Sequence, residues 1–156
     1  MFAAMALRCI GHRPLVMDLK AARGDEDHVV APFQIEGSWG AISKTNHGVL
    51  RYREPIYKSI RELAMSYFHE YFLNDGRKTL RSHSHPIDLS RFDDRGWMIS
   101  EEDVSYIPEF VDRVRHYPLL MQSQIRGLRK ADPIERRVGK IVEWNVKRNR
   151  LSSSTS

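Results

Sequence analysis

Two groups of side chains have types and spacings that could do chemistry. His28 follows three acidic residues and opens an apolar run, so its imidazole could act as a general base, although a surface histidine beside acids is the commoner arrangement. His83-Ser-His85, with Asp88 close by, has the spacing that can turn two imidazoles toward a metal ion. No further histidine or cysteine ligand set follows at a familiar spacing. The sequence therefore predicts no metal site and no cofactor.

The single cysteine, Cys9, is a third chemically relevant residue. One cysteine cannot form an internal disulfide, which indicates a reducing compartment. We predict that Cys9 lies in the last turn of a helix that ends at Gly11. The negative end of a helix dipole disfavours a thiolate, so we expect Cys9 to be a small buried group and not a nucleophile.

The elements expected to position these residues are those of an α+β fold, in which a small antiparallel sheet packs against helices. Alternating apolar residues predict strands over 14–20, 28–36, 39–43 and 49–53. Pro32 inside the second run indicates an edge strand or a bulge. Helices are predicted over 2–10, 55–72, 101–116 (divided at Pro108) and 132–148, and the segment 77–95 is predicted to be irregular.

Length and composition indicate one globular domain over residues 1–150, followed by a disordered tail over 151–156. No apolar stretch approaches the roughly 20 residues that a membrane-spanning helix needs, so we expect a cytoplasmic protein without a membrane partner. Positive charge is concentrated near the C-terminus, where residues 113–156 carry 11 basic and 3 acidic side chains, or +8. Such a segment can attract nucleic acid or an acidic partner.

Three segments, in this order, resemble the transglutaminase-like superfamily of papain-type folds. They are the helix-ending segment from Leu7-Arg8 through Gly11 to Pro14, the strand that opens at His28, and the Gly37-Ser38-Trp39 turn that leads to Ser43. The longer runs over 28–46 and 61–68 resemble bacterial members of that superfamily. The resemblance implies that residues 1–53 form the histidine-bearing portion of the core, with a mostly helical part over 54–150.

The resemblance also implies a mechanism, which is acyl transfer through a thiolate, a histidine that moves the proton, and a third residue that orients the imidazole. His28 matches the histidine. Ser43 stands where the family has an acid, and Asn46 lies close enough in sequence to take that role. The family's cysteine caps the N-terminus of the helix that here ends at Gly11, so its position falls before Met1. We expect the recorded start to be internal to a longer reading frame, and this chain alone to be inactive.

Three hypotheses about function follow. The first is a transglutaminase-like acyltransferase or cysteine-hydrolase domain that acts on a protein or peptide substrate, with His28 as the base and Ser43 or Asn46 as the orienting residue. The second is a non-catalytic binding or scaffold protein whose basic C-terminal helix contacts an acidic partner or nucleic acid. The third is a metal-dependent activity centred on His83 and His85. The sequence makes no prediction about the oligomeric state.

Overall fold

The computed structural model describes residues 1–100 and 103–142. Within these residues it confirms the α+β class, since α-helices accompany a seven-stranded sheet. The α-helices are α1 (Phe2–Cys9), α2 (Ile60–Met65), α3 (Tyr106–Arg113), α4 (Gln122–Arg126) and α5 (Pro133–Gly139). The strands are β1 (Leu15–Ala21), β2 (His28–Ile35), β3 (Ser38–Ile42), β4 (Tyr52–Tyr57), β5 (Leu80–Ser84), β6 (Ile87–Asp88) and β7 (His116–Pro118). Single-turn or longer 3-10 segments cover Gly48–Leu50, Phe68–Glu70 and Leu89–Arg95.

The sheet is antiparallel and has the order β4-β3-β2-β1-β5-β7, with β6 paired to the first residues of β1. Because successive side chains of a strand point to opposite faces, the central strand β1 supplies both layers of the core. Met17 and Leu19 pack toward α2, while Val16 packs toward α1 and α3.

Each face of the sheet has its own apolar cluster. The cluster on the α2 face is completed by residues that include Val30, Ala41, Leu63, Tyr67 and Leu80. The cluster on the α1 and α3 face includes Ala4, Leu7, Ala31, Trp97 and Ile107. Helix α1 ends as predicted, since Gly11 has a φ of 92° that suits glycine. The N-terminal helix and the first three strands thus lie where the sequence predicts them.

The predicted helix over 55–72 is wrong at both ends, because α2 covers only Ile60–Met65 and is followed by the 3-10 turn Phe68–Glu70. Residues 52–57 form the edge strand β4, whose side chains alternate between exposed and half-buried. The helix begins only after Ser59, whose hydroxyl accepts the N–H of Glu62, while the Glu62 carboxylate accepts the N–H of Lys58. Ile56 and Ile60 are spaced like residues on one helical face, but the helix N-cap lies between them. The Ser59 cap marks the true start of the helix, but the helical spacing of the apolar residues on either side of it hides that start in the sequence.

The predicted irregular segment over 77–95 is also wrong, because it contains β5 and β6. Strand β5 pairs with β1 on one side and β7 on the other, so it is an interior strand. Its buried residues include His83 and Ser84, and buried polar residues break the hydrophobic alternation by which a strand is recognised. The Ser84 hydroxyl accepts the N–H of Asp18, which explains why a polar residue is tolerated there.

Two further expectations need correction. Pro32 lies in β2, which has neighbours on both sides, but pairing with β1 covers only residues 28–30, so the missing N–H of Pro32 interrupts none of those pairs. Cys9 lies in the last turn of α1 as predicted but is exposed, not buried, because the buried positions of this helix are Ala4 and Leu7. The helix is thus amphipathic, with Cys9 outside its apolar face.

The C-terminal helix begins where the sequence predicts, with Asp132 as the N-cap and Pro133 as the first helical residue. Pro108 lies in the first turn of α3, so it opens that helix and does not divide it. Ile134 and Val138 share a helical face as predicted, but both are exposed within the described residues. The predicted helix over 132–148 is too long, because α5 ends at Gly139 with Lys140 as its C-cap, and Val142 pairs with His47 in an isolated β-bridge. Residues 143–148 and the predicted disordered tail over 151–156 lie outside the described residues.

Candidate active site

The structure brings His28 and Ser43 together. His28 is the first residue of β2, and Ser43 directly follows β3, its antiparallel neighbour. The β2–β3 ladder pairs Ala31 with Ile42, so the start of one strand and the end of the other meet at the same edge. His28 Nε2 lies 3.1 Å from Ser43 Oγ. The residue pair that the resemblance singled out is therefore a hydrogen-bonded pair.

The hydrogen bonds of Ser43 fix the tautomer of His28. Ser43 Oγ donates to the carbonyl oxygen of Leu50 at 2.8 Å. A hydroxyl has a single proton, so toward His28 the oxygen must act as an acceptor. Neutral His28 therefore carries its proton on Nε2. Its Nδ1 retains the lone pair and makes no hydrogen bond with the described residues, which leaves that atom available to take a proton.

Asn46 does not join this pair. Its side chain is exposed and makes no hydrogen bond with His28. The chain between Ser43 and Leu50 turns away through a 3-10 segment, and it is the Leu50 carbonyl, not Asn46, that lies against the Ser43 hydroxyl. Of the two predicted orienting residues, the structure thus brings Ser43 to the imidazole and leaves Asn46 apart.

The surroundings of His28 favour the neutral imidazole. Its pKa is lowered from its ordinary value, first because the ring is buried and second because His47 lies nearby, while Asp18 opposes the shift. A lowered pKa favours the unprotonated ring at neutral pH, which is the form that a general base requires. Burial therefore favours the neutral ring, and the hydrogen bond to Ser43 gives the tautomer of that neutral ring.

His28 lines a cleft of about 230 Å³ that could admit a substrate. Its walls come from the loop before β2, the segment around the 3-10 turn Gly48–Leu50, the residues after Phe68–Glu70, and the end of α5. Three acids of the cleft already have partners: Asp25 accepts from Thr79, Asp27 from Lys20, and Glu70 from Arg53. Because these three acids are held by partners, they make the walls of the cleft more rigid. They do not leave a compact group of free carboxylates in the cleft.

A second histidine, His47, lies across this cleft and was not predicted. Its Nδ1 lies 3.2 Å from the carbonyl oxygen of Gly139 in α5, so Nδ1 carries the proton and Nε2 is the free ring nitrogen. His47 is next to Asn46 in sequence, but the sequence has no pattern that links it to residue 139. Its position depends on the packing of the C-terminal helix against the loop.

The first turn of α1 borders the same region. Phe2 and Ala3 share a surface hollow of about 340 Å³ with Ile42, Ser43 and Lys44. The positive end of the α1 dipole thus lies beside Ser43. Cys9 is at the opposite end of α1, about 12 Å further along the helix axis at 1.5 Å per residue. The lone cysteine of the chain is therefore misplaced for a reaction with His28.

The histidines His83 and His85 do not form a metal site. His83 is buried, and its Nδ1 lies 2.8 Å from the Ser84 carbonyl oxygen, which uses one ring nitrogen. Asp88, the third candidate ligand, instead accepts two hydrogen bonds from Arg13. Both histidine rings pack around Tyr117, with centroid distances of 6.0 and 4.4 Å. The H-x-H pattern serves aromatic packing here.

Within the described residues, one group of acids lies close enough to share a metal ion: Asp18, Asp27 and Asp112. The ammonium group of Lys20 lies between them, at 3.3, 2.6 and 3.0 Å from their respective carboxylate oxygens. A lysine ammonium at hydrogen-bonding distance from all three acids offsets part of their negative charge and occupies the space a metal cation would need. The cluster is an ion-pair network, not a metal centre.

Comparisons with known proteins add no family assignment. A scan against models of protein families matched none of them, and a search of curated proteins found no match. Among the described residues, no helix has the length and apolar character required to cross a membrane. The site is therefore interpreted from its geometry.

Proposed function

We propose that this chain provides the histidine side of a thiol-dependent acyl-transfer site of the transglutaminase-like kind. The observation that carries the proposal is the His28–Ser43 hydrogen bond, which holds the imidazole with Nε2 protonated and Nδ1 free. In this class of reaction the imidazole takes the thiol proton, the thiolate attacks an acyl carbon, and the imidazolium returns the proton to the leaving amine.

Two features of the surroundings support this function. The cleft beside His28 gives an acyl substrate access to the imidazole. The N-terminal turn of α1 lies beside Ser43, and a helix N-terminus stabilises a thiolate through its dipole and free N–H groups. The proposal therefore requires the reacting thiol at or just before the first turn of α1. The substrate is a protein or peptide that carries an amide or ester acyl group.

A cysteine scan tests this placement. In a Cys9→Ser background, a single cysteine is introduced at Met1 or at each position of one helical turn added before it. The rate of alkylation by iodoacetamide is then measured from about pH 5 to pH 9. We expect one position to react at about pH 6 at least ~10-fold faster than an unstructured cysteine. The His28 imidazole takes the thiol proton, and the resulting imidazolium and the helix N-terminus stabilise the thiolate, which lowers the thiol pKa.

His28→Gln is expected to remove this acceleration, whereas His69→Gln, at an exposed histidine outside the cleft, leaves it unchanged. Circular dichroism melting confirms that each variant is folded. If no position gives a cysteine whose reactivity depends on His28, the acyl-transfer proposal is wrong. If the acceleration persists in His28→Gln, the helix alone is responsible and His28 has no catalytic role.

A further inference from the structure

Three arginines that lie over aromatic rings form a continuous strip outside the candidate active site. We call Arg91, Arg95 and Arg115 the arginine strip. They lie on the 3-10 segment Leu89–Arg95 and between α3 and β7. The distances from guanidinium carbon to ring centroid are 4.1 Å for Arg91 over Phe110, 4.5 Å for Arg95 over Tyr106, and 5.1 Å for Arg115 over Tyr117. All three arginines are exposed.

The three stacks are physically connected. The Phe92 ring packs edge to face against both Phe110 and Tyr106, at centroid distances of 5.6 and 5.4 Å, which joins the Arg91 and Arg95 stacks. Arg91 and Arg115 line the same groove of about 330 Å³. The strip is thus one surface of alternating cations and aromatic rings.

Among the described residues, no acid forms an ion pair with the arginine strip. None of the three arginines has a hydrogen bond or ion pair with the described residues. The acids around them are engaged elsewhere, with Asp88 bonded to Arg13, Asp93 to Arg8, and Asp112 to Lys20. Asp94, which has no ion pair in the described part of the chain, does not line the groove.

An exposed guanidinium that packs over a ring can still bind phosphate oxygens in pairs through its remaining N–H groups. Its other face, like the exposed ring of His85 at the groove, can stack on a nucleobase. An acidic peptide would use the charge but not these planar surfaces. A duplex would present its phosphates but not its base faces. The combination favours an unpaired strand.

We propose that the arginine strip binds single-stranded nucleic acid, with phosphates along Arg91, Arg95 and Arg115 and one base in the groove beside His85 and Tyr117. This activity is separate from the acyl-transfer site, because the two share no residue. The sequence suggested a nucleic-acid contact on the basic C-terminal helix. The present proposal places the contact instead on a surface whose aromatic rings come from α3, β7 and the segment after β6.

Fluorescence anisotropy with labelled oligouridylate and oligothymidylate of about 12 nucleotides tests the proposal, at KCl concentrations from about 50 to 200 mM. We expect Arg91→Gln/Arg115→Gln to weaken binding by about 10-fold or more. The slope of log K against log salt should fall by about 1.4, because two phosphate contacts each contribute about 0.7 for a single strand. The ratio of the affinities for the two oligonucleotides then shows whether the arginine strip prefers RNA or DNA.

Two matched double variants distinguish binding at the arginine strip from a general effect of positive charge. Arg23→Gln/Arg126→Gln removes the same charge at exposed sites away from the strip and is expected to change affinity less than about 2-fold, with an unchanged slope. Arg91→Lys/Arg115→Lys keeps the charge but loses planar stacking, and should keep the slope while weakening binding several-fold. The proposal is overturned if the Arg23/Arg126 variant loses as much affinity as the Arg91/Arg115 glutamine variant, or if the lysine variant binds like the parent. It is also overturned if polyglutamate competes as well as an oligonucleotide does, or if neither oligonucleotide binds at about 50 mM salt.

Discussion

Replacing Gly40 with alanine is expected to destabilise the protein by about 3 kcal/mol, near the upper end of the range for overpacked sites. A β-carbon at this position would lie 2.8 Å from the Arg53 carbonyl oxygen, 2.8 Å from the Phe33 ring and 2.9 Å from the Pro55 nitrogen. Two of these three neighbours are backbone atoms of β4, which cannot move without separating β3 from β4. The side chain of Phe33 belongs to the buried core, so it cannot move freely to make room for the β-carbon either.

Urea denaturation of the Gly40→Ala variant measures this loss as a change in the free energy of unfolding. Gly48→Ala is the control, because a β-carbon there meets no atom within 4 Å, and we expect it to stay within about 0.5 kcal/mol of the parent. The result matters for function, since Ser43 follows directly on β3 and moves with it. A Gly40→Ala variant as stable as Gly48→Ala would contradict the close packing of β3 on β4.

The second large effect is expected at Asp18, where replacement by asparagine should cost about 3 kcal/mol. The Asp18 side chain is only 1% exposed and accepts from His116 Nε2 at 2.9 Å as well as from the ammonium of Lys20. Asparagine keeps the shape but removes the buried negative charge that pairs with the Lys20 ammonium. Lys20 also holds Asp27, the residue before His28, so the network fixes the loop that leads into the candidate active site.

Asp112→Asn provides the matched control for this network. Asp112 contacts the same ammonium group but is 67% exposed, so solvent screens the pair and we expect a loss below about 1 kcal/mol. Both variants are compared by urea denaturation at neutral pH. Equal losses in the two variants would mean that the buried carboxylate has no special role, and that the loop before His28 is held by other contacts.

The sequence predicts the fold best where local pattern and tertiary environment agree. The first three strands alternate or run apolar as strands in a sheet do, and Gly11 ends α1 with the φ that glycine permits. The prediction fails at β4, because Ile56 and Ile60 imitate a helical face across a real helix cap at Ser59. It fails again at β5, whose buried polar residues have partners that the sequence does not reveal: Ser84 accepts the N–H of Asp18 on β1, and His83 bonds to the Ser84 carbonyl oxygen.

The candidate site, like the fold, could be predicted from the sequence only in part. His28 and Ser43 could be picked out because each lies at the end of a strand and matches a resemblance in element order. The Leu50 carbonyl that orients Ser43 is a backbone atom, which residue type does not reveal. The groups that complete the cleft, such as His47 and the end of α5, meet only through contacts between residues far apart in sequence. The arginine strip likewise requires three elements to be folded together.

The protonation state of the His28 ring is the most direct test of the account, because the proposed acyl transfer depends on a free Nδ1. Long-range ¹H–¹⁵N NMR spectra of the folded protein, recorded from about pH 5 to pH 8, resolve both ring nitrogens. We predict the neutral tautomer with the proton on Nε2 and a pKa below the ordinary histidine value, as burial requires. A neutral ring protonated on Nδ1, or a pKa above the ordinary value, would contradict the proposed role of His28 as the base.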